Sequence, residues 1–248
     1  MMNLEKEIRE QPAVLAGLAD KNSRTIAALA SGIKERSIRK IYFAARGTSD
    51  HAATYAQYLF ALVAGIPCGL ATPSVISKYG ASVDYSDSLV IGISQSGAAE
   101  DVISVIADAK KSGALTAGIT NVEGSHLAKS VDYTLFCNAG DETSIAATKT
   151  FTSQMMLLAL LAAEVSGSTA LKAGLAKVAP AVAELLAYMP ETLSVLTKKY
   201  TGMTSAVTLG RGFAYPIALE GTLKILETNN IKMRGYAISD FQHGPIAQ

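Results

Sequence analysis

The chain has 248 residues, of which 49% are hydrophobic and only 6% are aromatic, with no Trp. Its formal net charge of +1 at pH 7 gives no electrostatic basis for binding nucleic acid or an anionic membrane surface. The isolated Cys68 and Cys137 predict neither a disulfide framework nor a thiolate metal site. The charged N-terminal residues lack the apolar core of a signal peptide, and the most apolar run, 155–163, is too short to cross a bilayer. A soluble cytoplasmic protein is therefore expected.

The first two thirds of the sequence predict alternating strands and helices. Residues 3–36 are predicted to be helical, with a break at Pro12. Further along, strands are predicted at 38–45, 68–72, 89–93, 115–120 and 133–137, and helices at 52–64, 75–79, 98–111 and 149–165. This alternation is typical of an α/β fold with a parallel sheet covered on both faces. Ligands of such sheets bind outside the carboxyl ends of the strands.

The last third predicts a partial repeat of the same unit. Residues 168–199 are predicted to be a helix that breaks at Pro180 and Pro190. A strand at 205–209, a glycine turn and a helix at 216–228 then repeat the strand–glycine–helix order of residues 41–64. We expect residues 1–200 to form a first subdomain, with N-terminal helices and a linker helix, and residues 201–248 to begin a second. The second subdomain is expected to be incomplete, because one strand and one helix cannot bury both faces.

A hydroxyl-rich turn, Ser94-Gln95-Ser96-Gly97, follows the central apolar strand and precedes a helix. Free N–H groups and the positive end of a helix dipole make such a turn a natural binding place for an anion, above all phosphate. Because the turn contains no Lys or Arg, we expect neutral donors to hold the anion: the hydroxyls of Ser94 and Ser96, the Gln95 amide and the backbone. The alternative is that one of these serines only caps the helix.

Charged residues of the predicted helix 216–228 are candidates for acid–base chemistry. Glu220, Lys224 and Glu227 share one face, and apolar neighbours predict that this face is partly buried. A carboxylate beside Lys224 is a plausible general base, whereas a solvated salt-bridge face is the alternative. His243, in a Gln-His-Gly-Pro turn, fits proton transfer or a purely structural role.

Arg46 and Asp50 flank the first glycine turn and either recognise substrate or cap a helix. The turn at 210–212 lacks the third glycine of a dinucleotide-binding fingerprint. The sequence contains no phosphate-binding P-loop motif and no clustered metal ligands. We therefore predict no cofactor and no metal.

Seven short motifs occur in a fixed order along the chain: Ala-Arg-Gly-Thr-Ser at 45–49, Ser-Gln-Ser-Gly at 94–97, Asn-Ala-Gly-Asp-Glu at 138–142, Ala-Thr-Lys-Thr-Phe-Thr at 147–152, Leu-Gly-Arg-Gly at 209–212, Ala-Leu-Glu-Gly-Thr-Leu-Lys at 218–224 and His-Gly-Pro at 243–245. Together they resemble the sugar isomerase (SIS) family, most closely the isomerase part of the glucosamine-6-phosphate synthases. The resemblance implies a doubly wound parallel sheet of the flavodoxin-like three-layer kind, in two tandem subdomains of which the second is cut short here. It also implies a homodimer with sugar-phosphate sites shared between subunits.

The resemblance also implies site residues by position. The phosphate would be held by Ser49, Ser94, Gln95 and Ser96, and the pocket shaped by Gly47 and Thr48, with Ile145 as a further substrate contact. Glu227 would move the proton between C1 and C2, supported by Lys224 and Glu220, and His243 from a second subunit would open the sugar ring. Three departures imply a changed phosphate grip and sugar specificity: Ala99, Ala147 and Arg46 stand where the synthases have Thr, Ser and Cys.

Met2 stands where a glutamine-hydrolysing domain begins with a nucleophilic Cys, so no such domain is expected ahead of residue 1. Synthesis from glutamine is therefore not expected. The expected reaction is deamination of an aminohexose 6-phosphate through aldose/ketose isomerisation. One alternative is deglycation of a fructosamine 6-phosphate, and another is a sugar-phosphate sensor without catalysis. The presence of Glu227 and His243, without a helix-turn-helix region, counts against the sensor.

Overall fold

The computed structural model describes residues 2–247. Its elements, in chain order, are α1 (Met2–Glu35), β1 (Lys40–Ala44), α2 (Thr48–Ala64), β2 (Cys68–Leu70), α3 (Pro73–Ser77), β3 (Ser88–Ile93), α4 (Glu100–Lys111), β4 (Leu115–Thr120), α5 (His126–Ser130), β5 (Tyr133–Phe136), α6 (Lys149–Ser166), α7 (Thr169–Leu175), α8 (Val178–Tyr200), β6 (Ser205–Gly210), α9 (Ala214–Asn229), β7 (Lys232–Ala237) and α10 (Ile238–Phe241), with a 3₁₀ turn at Pro245–Ala247.

The first five strands form one parallel sheet in the order β2-β1-β3-β4-β5. This is the flavodoxin-like order, which confirms the predicted doubly wound fold. The chain leaves β1 toward β2 and returns to place β3 on the other side of β1, so the order reverses between β1 and β3. The register pairs Ile41 with Leu89 and Ala44 with Gly92, so both strands end at the same edge. That edge is the expected place for a ligand.

Helices cover both faces of this sheet. On one face, α1, α2 and α6 pack against strand residues such as Ile41, Phe43 and Ile91. On the other face, α4 and α5 pack against a smaller cluster that includes Val90. Every residue of β3 and β4 is buried, which explains why both strands read as nearly continuous apolar runs. The three-layer prediction is confirmed.

The predicted helix break at Pro12 is wrong, because α1 continues through it. Proline has no N–H to donate to the carbonyl of Ile8 four residues earlier. The side chain of Gln11 supplies the missing bond, since its Nε2 donates to the Ile8 carbonyl over 3.0 Å. The buried apolar stripe of α1, from Leu15 to Ile33, then holds the helix against the core.

The breaks predicted at Pro180 and Pro190 are also wrong. The interruption lies at residues 176–177, between α7 and α8. Pro180 is the third residue of α8, where a backbone N–H has no partner within the helix in any case. Pro190 lies inside α8, which runs on to Tyr200 with only that one N–H missing.

Residues after 200 hold more than the single predicted strand. Strands β6 and β7 form a separate two-stranded parallel sheet, with α9 packed on both strands. Helix α9 also packs on α2, where the ring of Phe213 lies 5.6 Å from that of Tyr55. Ile217 and Leu226 of α9 are exposed. The expectation of one strand and one helix is therefore wrong, and the division into two subdomains stays a prediction.

Within residues 2–247, no helix combines the length and apolar composition that a bilayer crossing requires. The cytoplasmic location stays a prediction.

Candidate functional site

A cavity of about 270 Å³ lies at the sheet edge where the strand order reverses. It is lined by the turns after β1 and β3 and by the start of α6, with the lining residues Arg46, Thr48, Ser49, Ile93, Ser94, Gln95, Ser96, Ala99, Ala147, Thr150 and Gln154. Five of the predicted substrate-binding residues thus line one cavity, although they come from two separate turns. The shared edge of β1 and β3 is what brings them together.

The turn after β3 is held by the neighbouring strand and by its own backbone. The N–H of Ser94 donates to the carbonyl of Ile119, and the N–H of Gly97 donates to the carbonyl of Ser94. Gly97 has a φ of +62°, and a Cβ there would lie 2.2 Å from the Ser125 hydroxyl oxygen, so only glycine fits. The turn therefore has a fixed shape.

The alternative reading, in which a serine of this turn only caps α4, is wrong. The residue that caps α4 is Ala99, and it makes no side-chain hydrogen bond to the helix. The Ser96 hydroxyl accepts instead from the Ala98 N–H, before the helix begins. Ser94 is 6% exposed and lines the cavity.

The turn after β1 leads directly into α2. Gly47 has a φ of +55°, and its carbonyl accepts from the N–H groups of Asp50 and His51. This conformation starts α2 at Thr48, four residues earlier than the sequence predicts. Thr48 and Ser49 consequently lie in the first turn of a helix, beside the cavity.

The acidic and basic residues of α9 form a partly buried cluster against this turn. Glu220 is 5% exposed and accepts a hydrogen bond from the Thr48 hydroxyl over 3.0 Å. The ammonium group of Lys224 lies 3.1 Å from Glu220 Oε1, 2.8 Å from Glu227 Oε2 and 3.1 Å from Thr48 Oγ1. The expectation of a partly buried face is confirmed, and the solvated alternative is wrong for Glu220.

His51 completes this cluster and was not predicted. Its Nδ1 lies 2.6 Å from Glu220 Oε2. Burial raises the pKa of Glu220, but the hydrogen bond with His51 and the charge of Lys224 outweigh that effect and hold its pKa below the usual value. Glu220 is therefore a carboxylate at neutral pH. The one sequence signal for His51 was its position three residues after Thr48, on the same face of α2.

Arg46 places a positive charge on the cavity wall. Its guanidinium donates to Asp101 Oδ2 from Nε over 3.0 Å and from Nη2 over 2.6 Å. This contact holds the pKa of Asp101 below its ordinary value. The side chain of Arg46 remains half exposed. The neighbouring turn thus adds to the cavity wall a guanidinium paired with Asp101, and the expectation that neutral donors hold the anion stays a prediction.

The loop at 138–148 is held by two carboxylates. Glu142 accepts from the N–H groups of Thr148 and Thr150, and Glu7 of α1 accepts from the N–H of Thr143 over 2.7 Å. The loop reaches the cavity at Ala147. Ile145, in the same loop, is 89% exposed and is not part of the cavity lining.

His243 lies near the C-terminal end of the described residues. Its side chain is exposed, and its backbone N–H donates to the carbonyl of Asp240. It is not among the residues that line the cavity. The structure thus brings the predicted phosphate-binding turns and the α9 cluster together within one chain, but not Ile145 or His243.

The fold and the cavity define a doubly wound α/β protein with a hydroxyl-lined site where the strand order reverses. The SIS domain model matches residues 36–164, just over half of the chain. The chain belongs to the SIS domain family, and the resemblance derived from the sequence motifs is confirmed.

Relatives carry names from sugar-phosphate metabolism. Glutamine–fructose-6-phosphate aminotransferase [isomerizing] of Aquifex aeolicus is 36% identical over 242 residues, which cover 98% of this chain and 40% of the relative. A candidate phosphosugar isomerase from Silicibacter pomeroyi DSS-3 superposes with a TM-score of 0.91 at 31% identity, covering 98% of this chain and 73% of that one. Glucosamine-6-phosphate deaminase of Thermotoga maritima superposes with a TM-score of 0.75 at 25% identity, covering 99% and 73%. The chain spans about two fifths of the length of the curated relatives it matches.

Proposed function

We propose that this chain carries out aldose/ketose isomerisation of amino-sugar 6-phosphates, with net deamination of an aminohexose 6-phosphate to a ketohexose 6-phosphate and ammonia. The observation that carries the proposal is the position of Thr48, which lines the cavity and contacts both Glu220 and Lys224. Thr48 thus connects a cavity that has donors suited to phosphate with the carboxylate–ammonium cluster of α9. Isomerisation of a phosphorylated sugar requires both features.

The proposed reaction assigns a separate role to each part of the site. The turns after β1 and β3 hold the phosphate, and Glu227 takes the C2 proton of the open-chain sugar and returns it to C1. With the movement of one amine proton to the C1 oxygen, this transfer converts the C1 aldehyde into an alcohol and the C2 amine into an imine, which water hydrolyses to the ketone and ammonia. Lys224 and the ionised Glu220 hold Glu227 in place, because the ammonium group bridges the two carboxylates.

Ring opening needs a second acid–base group, because the cyclic sugar hides the carbonyl. We propose that His243 of a second copy of this chain supplies it, in a homodimer with shared sites. The exposed position of His243, outside the cavity lining of its own chain, supports this arrangement. The deaminase named among the structural relatives supports the proposed net reaction by analogy.

A second candidate function is deglycation of a fructosamine 6-phosphate, and Arg46 favours it. A fructosamine formed from an amino acid carries a carboxylate besides the phosphate, and a guanidinium binds either anion in bidentate fashion. Both functions use the same base and the same ring-opening step. The choice between them depends on which amine leaves.

One assay separates these functions. The protein is incubated with glucosamine 6-phosphate, with other 6-phosphorylated amino sugars and with 6-phosphorylated fructosamines, and released ammonia or amino acid is measured. Ammonia from an amino sugar supports the deaminase, and release of the amino acid from a fructosamine supports the deglycase. Binding without turnover of any compound supports a sensor and contradicts both.

Replacement of Ser94 by Ala tests the phosphate site. Loss of a hydrogen bond to a charged oxygen costs about 1.5–3 kcal/mol, so the affinity for fructose 6-phosphate is expected to fall by roughly 10- to 100-fold. Calorimetric titration measures this affinity. Ser104→Ala is the matched control, because the Ser104 hydroxyl donates to the carbonyl of Asp101 within α4, outside the cavity lining. Equal affinity in the two variants would contradict the phosphate site.

Replacement of Arg46 by Met tests the charge on the cavity wall. Removal of a charge-assisted contact is expected to lower the affinity for fructose 6-phosphate by roughly 10-fold or more and to reduce the salt dependence of binding. The exposed Arg39 provides the control variant Arg39→Met. If only fructosamines that carry a carboxylate lose affinity, Arg46 recognises that carboxylate, and the deglycase is favoured. Unchanged affinity for every ligand would show that Arg46 does not take part in ligand binding.

A further inference from the structure

Gln154 of α6 is buried and incompletely hydrogen-bonded. Its side chain is 1% exposed, and its Oε1 has no hydrogen-bond partner. Among the described residues, the only other buried side-chain oxygen or nitrogen in this state is Oε2 of Glu7, which is not among the residues that line the cavity. A buried carbonyl oxygen without a donor is unfavourable, and native structures keep few of them. Such an atom calls for an explanation.

The position of Gln154 supplies one. Thr150 and Gln154 lie one turn apart on α6, at i and i+4, and Ala147 lies in the loop just before the helix; all three line the cavity. Ala147 has no polar side chain, and the hydroxyl of Thr150 is bonded to Glu142. Of these three lining residues, Gln154 alone has a side-chain atom without a hydrogen-bond partner.

The chemistry of that group distinguishes between parts of a sugar phosphate. A phosphate dianion has no hydrogen to donate, so it cannot satisfy a carbonyl oxygen. A sugar hydroxyl both donates and accepts, so it can pair with either end of a carboxamide. The serine hydroxyls of the two turns differ from that carbonyl oxygen, because they can donate to phosphate oxygens.

We infer that Gln154 binds a hydroxyl group of the sugar carbon chain and contributes to sugar specificity. This inference rests on the proposed function, since it needs a phosphorylated sugar in the cavity. The bound sugar supplies the donor that Oε1 lacks in the free protein. A site built to hydrogen-bond a hydroxyl discriminates strongly against a ligand without it, because the buried group is then left unpaired.

The variant Gln154→Met tests this inference, since Met has a similar length and no amide. Calorimetric titration is expected to give an affinity for fructose 6-phosphate reduced by about tenfold or more, and an affinity for inorganic phosphate changed by less than about twofold. The unliganded variant is expected to unfold at the same temperature as the natural protein or higher, because an unpaired buried group has been removed. If Gln154 has a purely structural role, the substitution would instead lower the unfolding temperature and reduce the affinities for both ligands alike.

Gln57→Met is the matched control, because Gln57 lies on α2, outside the cavity lining, and its Nε2 donates to the Cys68 carbonyl. Should Gln154→Met fail to fold, deoxy analogues of fructose 6-phosphate test the same contact on the natural protein. At least one analogue is expected to bind about tenfold more weakly or worse. Equal binding of all analogues, or unchanged affinity in Gln154→Met, overturns the inference alone. Failure of the natural protein to bind any sugar phosphate overturns the proposed function and the inference with it.

Discussion

Replacement of Glu227 by Gln is expected to lower the turnover of glucosamine 6-phosphate by roughly 10²- to 10⁴-fold, the usual contribution of a general base. The neutral amide cannot accept the C2 proton, although it keeps the size of the side chain. Binding is expected to persist, because the phosphate is held by the turns after β1 and β3 rather than by α9. Lys224 keeps its second contact, to Glu220, so the cluster remains assembled.

Exchange of the C2 proton with deuterium in heavy water is the measurement, followed by NMR. The natural protein is expected to exchange this proton, and Glu227→Gln is not. The control is Glu184→Gln, because Glu184 lies on α8, which has no buried residue. Full exchange in Glu227→Gln would show that Glu227 is not the base. Loss of both exchange and sugar-phosphate binding would indicate that the cluster had collapsed.

The same variant tests the shared site. Glu227→Gln and His243→Ala subunits are each expected to be inactive alone as homodimers. When they are mixed and allowed to exchange, part of the activity is expected to return, because one of the two sites then combines an intact Glu227 with an intact His243 from the other chain. Activity that never returns after demonstrated subunit exchange would place both groups in one chain.

Replacement of Gly97 by Ala is expected to destabilise the fold and deform the phosphate-binding turn. A Cβ at this position would meet the side chain of Ser125 at 2.2 Å, and φ is +62°. Overpacking costs about 1–3 kcal/mol and the left-handed conformation about 1 kcal/mol more, so the free energy of unfolding should fall by about 2–4 kcal/mol. Urea denaturation measures this change. The affinity for fructose 6-phosphate should fall with it, because the backbone between Ser94 and Gly97 must move.

Gly113→Ala separates the clash from the backbone strain. Gly113 also has a positive φ, of +78°, but a Cβ there would meet no atom within 4 Å. This control should lose only the strain, about 1 kcal/mol, and keep its affinity for fructose 6-phosphate. Equal destabilisation of the two variants would mean that Ser125 moves aside without cost and that the shape of the turn does not depend on a glycine.

Much of the fold was predictable, because the apolar composition of the central strands indicates that they are buried. The strands β3 and β4 are buried at every position, so each reads as an apolar run between turns. The predictions were wrong where a contact with another residue overrode the local preference of the sequence. Proline predicted a break at residue 12, but the side chain of Gln11 replaces the missing hydrogen bond. Strand β7 was missed because only its pairing with β6 defines it.

The candidate site was predictable in part, for a similar reason. Motifs near each other in sequence, such as the turn at 94–97 or the charged face of α9, could be recognised from spacing alone. Contacts between distant segments could not. His51 lies 169 residues from Glu220, and Arg46 lies 55 residues from Asp101, and no periodicity relates such pairs. The unpaired carboxamide oxygen of Gln154 could not be predicted for the same reason, since only the packed structure fixes which polar atoms lack partners.

The sequence by itself determined the parallel α/β architecture, the hydroxyl-rich turn and the shared face of Glu220, Lys224 and Glu227. Hydrophobic periodicity and helical spacing act over a few residues and can be read directly from the chain. Only the tertiary structure decided that Thr48 joins the cavity to that face, through hydrogen bonds to Glu220 and from Lys224. Those bonds depend on how α9 packs against α2, and packing is settled by burial across the whole chain rather than by local sequence.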